Sequence, residues 1–234
     1  MKNYIFLILP AVLWGLQPIA IKLLLQQYTS ATVLMIRTVV MVLVYFMLMR
    51  ESCATWLPKI TIKQWGSLTC MGICGTTVCG ITQYEGLQYA PVFHCLLFSA
   101  TAPAITACMA VIFLKERLSF FQWLGIVLST LGIFYMLTEG QLMMIFTEGI
   151  GIGDFLFFLF ELSWSTYIII GRYIMRIMSP LQATTWAGCI GLLTFIPYLI
   201  LSPDFQCPVI TQESIFLFIF ISVFSGAISM VAWN

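Results

Sequence analysis

Apolar residues in this chain come in runs of about twenty, separated by short polar breaks. The runs fall near 4–25, 31–49, 65–87, 92–114, 119–138, 152–175, 180–201 and 214–234. An α-helix rises 1.5 Å per residue, so about twenty such residues cross the hydrocarbon layer of a bilayer. The pattern predicts an all-α membrane protein with about eight transmembrane helices. The breaks carry turn or charge signals, as in Lys115-Glu116-Arg117 and Arg176 to Pro180. None is long enough to hold a soluble domain. The first run follows Met1-Lys2-Asn3, the positive start of a secretory signal. It is longer than the roughly 7–15 residues of a signal's apolar core and lacks a small-x-small cleavage site, so it reads as a retained first span.

Composition agrees with the pattern. The sequence is 61% hydrophobic and 8% charged, whereas a soluble domain carries about 25% charged residues. A net charge of +1 offers no basic face for nucleic acid. Six of the eight cysteines lie inside apolar runs, where thiols behave as small buried hydrophobes, and they are read as reduced. No metal is expected: Cys74 and Cys79 have neither zinc spacing nor histidine partners. His-Glu-x-x-His, Gly-x-Ser-x-Gly and the phosphate-cradling Gly-Lys-Ser are all missing. The sequence therefore reads as no enzyme, with no cofactor and no ATP hydrolysis of its own.

Basic residues set an orientation, because cytoplasmic loops carry the excess of Lys and Arg. With the N-terminus inside, the inner segments hold Lys2, Arg50, Lys59, Lys63, Lys115, Arg117, Arg172 and Arg176, eight of the ten. Lys22 and Arg37 lie within helices, and the outer loops hold Glu139, Glu148, Asp204 and Glu213. The expected location is the cell membrane, multi-pass, with a cytoplasmic N-terminus.

Sliding the second half of the chain back over the first puts Trp14 on Trp164, Lys22 on Arg172, Thr29 on Ser179, Gly75 on Ser225 and Tyr84 on Asn234, all at one constant offset. Rare residues carry the weight of such a match. A first copy of five helices is odd in number, so the second copy enters the membrane reversed, an inverted repeat. The first repeat is 1–138 and the second, inverted and incomplete with three helices, is 152–234. Counterparts of the last two helices of the first copy would fall beyond Asn234.

The first half also resembles the EamA-type repeat of the drug/metabolite transporter superfamily. The stretches that carry the resemblance are Trp14-Gly15, Arg37, Gly75, and Gln83-Tyr84-Glu85-Gly86-Leu87-Gln88-Tyr89-Ala90. Pro103, Leu114 to Ser119, and the pair Gly125 and Gly132 complete it. The resemblance implies ten helices in two inverted five-helix repeats, of which about eight are present, and secondary transport of small organic solutes.

Candidate residues follow from cost. A charge near the bilayer centre is disfavoured by about 2.5–3.5 kcal/mol on insertion scales, so each one needs a reason. Glu161 sits about two turns into helix six, bordered by Trp164, Ser165 and Tyr167. It reads either as a cavity carboxylate, titrating for proton coupling or pairing with a substrate amine, or as a glutamate hydrogen-bonded to a neighbouring helix. Arg37 reads as snorkelling toward headgroups and packing, with a carboxylate-binding role as the rival. Glu85 and Asp154 lie near helix ends, where water or a helix N-terminus satisfies them. Gly72, Gly75, Cys79 and Gln83 form a stripe of small and polar groups on helix three, for close packing or, through Gln83 and Tyr84, for solute hydrogen bonds. Trp14 and Trp164 read as two aromatic walls of a midplane cavity, or as ordinary lipid-facing or core aromatics. Pro103 reads as a helix kink with a gating role, Glu116 as a turn acid in a local ion pair, and His94 as a satisfied interfacial histidine.

The function these residues support is a secondary transporter, an exporter or exchanger of a small metabolite such as an amino acid or amine, working by alternating access. Its partners are a small-molecule substrate and the lipid bilayer, with proton coupling through Glu161. The rival is a truncated, transport-inactive membrane protein or interaction partner.

Overall fold

The computed structural model describes residues 2–52, 60–138, 140–141, 151–202 and 211–233. Every regular element among them is helical. The helices are α1 (Lys2–Leu24), α2 (Ser30–Ser52), α3 (Ile62–Gly72), α4 (Cys79–Tyr89), α5 (Val92–Phe113), α6 (Phe120–Leu137), α7 (Ile152–Ile174), α8 (Pro180–Leu201), α9 (Gln212–Ile219) and α10 (Ser229–Trp233). A π-helical stretch, Ile73–Val78, joins α3 to α4, and a second, Phe220–Ile228, joins α9 to α10. Eight helical rods result among the described residues.

Hydroxyl side chains mark where the rods begin. Thr61, Ser119, Ser179 and Thr211 each cap a helix by accepting the backbone N–H three residues on, and the side chain there returns the bond to the cap's own N–H. Thr29 accepts from the Thr32 N–H at 3.3 Å and serves α2 in part the same way. These bonds satisfy donors that a helix start leaves open. The starts fall in a pattern: α1, α2 and α3 begin at 2, 30 and 62, and α7, α8 and α9 at 152, 180 and 212. Each start in the second set follows its counterpart by the same interval, the one that aligns Trp14 with Trp164. Both third rods contain a π-helical stretch.

Of the eight rods, five are long and apolar enough by themselves to cross a membrane: Ser30–Glu51, Val92–Phe113, Ile152–Ile174, Pro180–Leu201 and Gln212–Val231. This is fewer than the eight expected. Ile8–Leu24 and Phe120–Met136 are shorter apolar stretches, and the third rod is diluted by Thr76, Thr77, Gln83 and Glu85. The outward faces are nevertheless greasy throughout. Phe113, Phe120, Phe121 and Ile112 are 67–80% exposed, a pattern that suits lipid and would be costly in water.

Inside, α7 packs on α3, α4 and α5, while α8 packs on α2, α3 and the first π stretch. In the same way α1 packs on α10 and α2 on the second π stretch. One apolar cluster around Ile21, Leu34, Tyr84, Leu87, Phe157, Phe195 and Ile221 fills the end of the bundle that carries Lys22. Another, around Leu68, Met71, Tyr167, Ile174 and Ala187, lies toward the end that carries Glu116. Close approach in the middle depends on glycine. A Cβ on Gly75 would run into the Tyr167 ring, and one on Gly191 would run into the Thr76 side chain.

Lys59, Glu139, Glu148 and Asp204, used for the orientation, lie outside the described residues, as do Cys53 and Cys207. The six described cysteines are free thiols.

Candidate functional site

Between the two apolar clusters lies a cavity of about 310 Å³. Its lining comes from both sets of helices. Trp14 and Trp164 face it, as do Gln17 and Tyr167, Arg37 and Ala187, Gly75 and Ser225. The two members of each pair are equivalent positions, separated by the same interval as the helix starts. Glu161, Gln83, Cys79, Tyr45, Ser99, Thr76 and Thr184 complete its polar wall.

The aromatic side is well ordered. Trp164 stacks on Tyr167 with ring centroids 5.1 Å apart and planes 11° from parallel. Trp14 meets Trp164 edge to face at 5.7 Å and 82°, a favoured geometry for aromatic pairs. Trp14 is held in turn by its Nε1–H, which donates to the Ser225 carbonyl at 3.0 Å. The Ser225 hydroxyl donates to Gln17 Oε1, and Gln17 Nε2 donates to Gln83 Oε1 at 3.3 Å. This chain of bonds ties α1, α4 and the second π stretch together across the cavity wall.

Two charges face the same space. Glu161 is 1% exposed, and its Oε1 accepts from the Ser99 hydroxyl on α5 at 2.7 Å. Arg37 donates through Nε to the Ile221 carbonyl at 3.3 Å, and its Cζ lies 5.9 Å from the centre of the Tyr84 ring. Among the described residues neither side chain forms an ion pair. The snorkelling reading of Arg37 is thereby corrected. The Ile221 carbonyl and the Tyr84 ring draw the guanidinium inward, away from any headgroup.

Other sequence candidates lie elsewhere. Tyr84 is fully buried in the apolar cluster, and its hydroxyl has no partner among the described residues; Gln83 reaches the cavity and Tyr84 does not. The straight stripe expected on helix three is split by the π stretch. Gly72 abuts the Ala187 carbonyl, whereas Gly75, Cys79 and Gln83 line the cavity. Glu85 accepts from the hydroxyls of Ser30 and Tyr198 rather than resting on water or a helix start. Asp154 does cap its helix: Oδ2 accepts from the Gly151 N–H at 2.8 Å, while Oδ1 lies 2.6 Å from His94 Nδ1. Pro103 sits within the continuous helix α5 on its exposed side. Glu116 pairs with Arg172 of α7 at 3.2 Å, so its ion pair is not the local one expected with Lys115 or Arg117. Both partners are nearly half exposed, at 47% and 44%.

Sequence reasoning missed Gln17, Tyr45 and Ser99. Gln17 carried a usable signal, a lone amide one turn after Trp14 in an apolar run. Tyr45 and Ser99 carried none, since hydroxyls recur in most of these helices.

A model of the EamA-like transporter family matches residues 1–138 and 151–234 of the chain. The chain is also similar to a protein named uncharacterized transporter YyaM from Bacillus subtilis (strain 168), with 30% identity over 126 residues. That match takes in 54% of this chain and 41% of the relative, so it spans about two fifths of the relative's length.

Proposed function

We propose that this chain, which belongs to the EamA-like transporter family, is a secondary carrier in the cell membrane with a cytoplasmic N-terminus. It exports or exchanges a small metabolite such as an amino acid or amine. The observation that carries this reading is the shared cavity, lined by equivalent positions of the two helix sets and containing an acid with no cationic partner among the described residues. Inverted repeats place substrate sites at their interface near the midplane, and alternating access rocks one repeat against the other around such a site. The matched helix starts and the matched packing of α1 and α7 support that architecture, with residues 1–138 as one repeat and 152–234 as part of a second.

Glu161 is the coupling candidate. The other titratable or charged groups lining the cavity are Arg37, Tyr45, Cys79 and Tyr167, and Glu161 is the one carboxylate in that lining. Exchange of a proton on that carboxylate for a cationic solute would couple transport to a pH gradient. Flux assayed in proteoliposomes across an imposed pH gradient tests this. Glu161→Gln should abolish the gradient dependence and lower the rate by about 10- to 100-fold, the worth of a charged hydrogen bond in a buried site. A variant with unchanged rate and pH profile would remove Glu161 from the mechanism.

A further inference from the structure

We infer that His94 and Asp154 form the outer latch of the carrier, a clasp between α5 and α7 that protons in the outer medium tighten and a rise in pH releases. This rests on the carrier reading and orientation above and names what regulates access to the cavity.

The latch is one rung of a polar seam. Glu161, Ser165 and Arg172 follow Asp154 by 7, 11 and 18 positions, which keeps all four on one face of α7. Across from them stand His94, Ser99 and Thr106 of α5, and Glu116 just past its end. In the repeat assignment proposed above α5 lies in the first repeat and α7 in the second, so every rung joins the two bodies that rock. The end rungs each set an acid against a base. They lie about 27 Å apart along α7 at 1.5 Å per residue, close to the roughly 30 Å of a hydrocarbon layer. Both are made, so α5 is held to α7 at both ends.

The two ends differ in chemistry. Arg172 keeps its charge at any ordinary pH, and its pair with Glu116 is open to solvent. His94 Nδ1 lies 2.6 Å from Asp154 Oδ1 with the two side chains only 14% and 8% exposed, a setting in which a change of charge is felt more strongly than in water. An ordinary imidazole titrates at about 6.5. Protonated, it makes a charge-assisted bond to a carboxylate; neutral, it loses that attraction. Other bonds join the repeats at this end, from Tyr28 to Ser214 at 2.9 Å and from Tyr198 to Glu85 at 2.5 Å. Their donors are phenols, which hold their protons through neutral pH. The remaining charged groups on the surrounding helices have partners of their own: Lys22 of α1 donates to the Leu87 and Ala90 carbonyls, Glu85 of α4 accepts from Ser30 and Tyr198, and Glu161 accepts from Ser99. Tyr89 of α4 and Tyr135 of α6 are exposed, Cys95 is buried next to His94 in sequence, and Lys63 stands at the opposite end on α3.

Spin-label distances in lipid nanodiscs test the latch apart from any flux. Labels carried on a ketone-bearing noncanonical residue leave the eight native cysteines in place. One pair, at the exposed positions Pro91 and Ile152, reads the outer end, and another, at Arg117 and Tyr173, reads the inner end. From about pH 5.5 to about pH 8.5, either side of the imidazole range, the outer-open population should rise about 10-fold, the worth of one charged hydrogen bond, while the inner ends draw together. His94→Gln should remove this dependence and leave the outer end open more often at both pH values. His94→Lys should hold it closed at both, and misfolding cannot produce these opposite shifts. Glu116→Gln, which weakens the inner pair, should move the balance toward a closed outer end and keep the pH response. A pH response that survives His94→Gln, no response in the unmodified protein, or both ends widening together would overturn the latch. Flux of a panel of amino acids and amines in proteoliposomes is read separately. Flux with pH-independent distances sinks the latch and leaves the carrier reading, and the expected distance changes without flux do the reverse.

Discussion

α1 and α7 occupy equivalent places in the two helix sets, and each sets a tryptophan and a long polar residue against the cavity: Trp14 with Gln17, Trp164 with Tyr167. Their other faces differ. Along α7 lies α5, which supplies a polar partner at each level: His94 for Asp154, Ser99 for Glu161, and Thr106 for Ser165 at 2.9 Å. The positions of Glu161 and Ser165 correspond on α1 to Ala11 and Gly15, both exposed, and a Cβ on Gly15 would touch nothing within 4 Å. The difference teaches where polar chemistry can live in a membrane helix. Among the described residues, the acids on this face of α7 each meet a polar partner on α5, as a buried carboxylate requires.

The comparison breaks most visibly if the acid is moved. Ala11→Glu places a carboxylate on the helix face that no described neighbour serves, and the expected cost is about 2.5–3.5 kcal/mol. It should appear as reduced membrane insertion and a lower unfolding temperature in detergent, and unchanged stability would show that α5 is not what licenses Glu161. A finer contrast uses Gly75 and Ser225, equivalent positions that face Tyr167 and Gln17. Gly75→Ala drives a methyl into the Tyr167 ring and should destabilise by about 1–3 kcal/mol. Ser225→Ala deletes only the hydroxyl that donates to Gln17, at about 1 kcal/mol; both are read by thermal unfolding. The smallest effect falls within a last contrast, between the equivalent cations Lys22 and Arg172. Lys22 donates to the Leu87 and Ala90 carbonyls in a half-buried setting, and Lys22→Met should cost about 1–2 kcal/mol. Glu116→Gln, which strips Arg172 of its exposed partner, should cost at most about 1 kcal/mol and less in high salt.

Much of this was legible in the chain. The apolar runs located the rods to within a few residues, because the only demand on a spanning segment is sustained apolarity. Trp14, Trp164, Gln83, Arg37 and Glu161 were singled out because rare or charged residues in such runs are conspicuous, and all five line one cavity. Side-chain direction was not legible. Whether Arg37 points to headgroups or inward depends on the Ile221 carbonyl, 184 residues away. Gln83 and Tyr84 are neighbours in sequence with the same hydrogen-bonding promise, and the π stretch before them decides which one meets the cavity. The pairing of Glu116 with Arg172 joins a break to the last turn of α7, which no local pattern connects. Tertiary partners made those decisions, and a single sequence carries no record of them.

The π stretch Ile73–Val78 also sets a phase. A wider turn holds more residues than an α-helical turn, whereas each residue of an α-helix turns the chain by about 100°. The segment therefore fixes the rotation of Cys79–Tyr89 relative to Ile62–Gly72, much as a spacer fixes the alignment of two gears. Gly72 stays meshed with Ala187 at one end while Gly86 stays against Phe157 at the other. Deleting one residue there, with no change in polarity, would swing Gln83 out of the wall and spoil the mesh at whichever end yielded. Chain length in this segment is thus as much a part of the cavity wall as the side chains that form it.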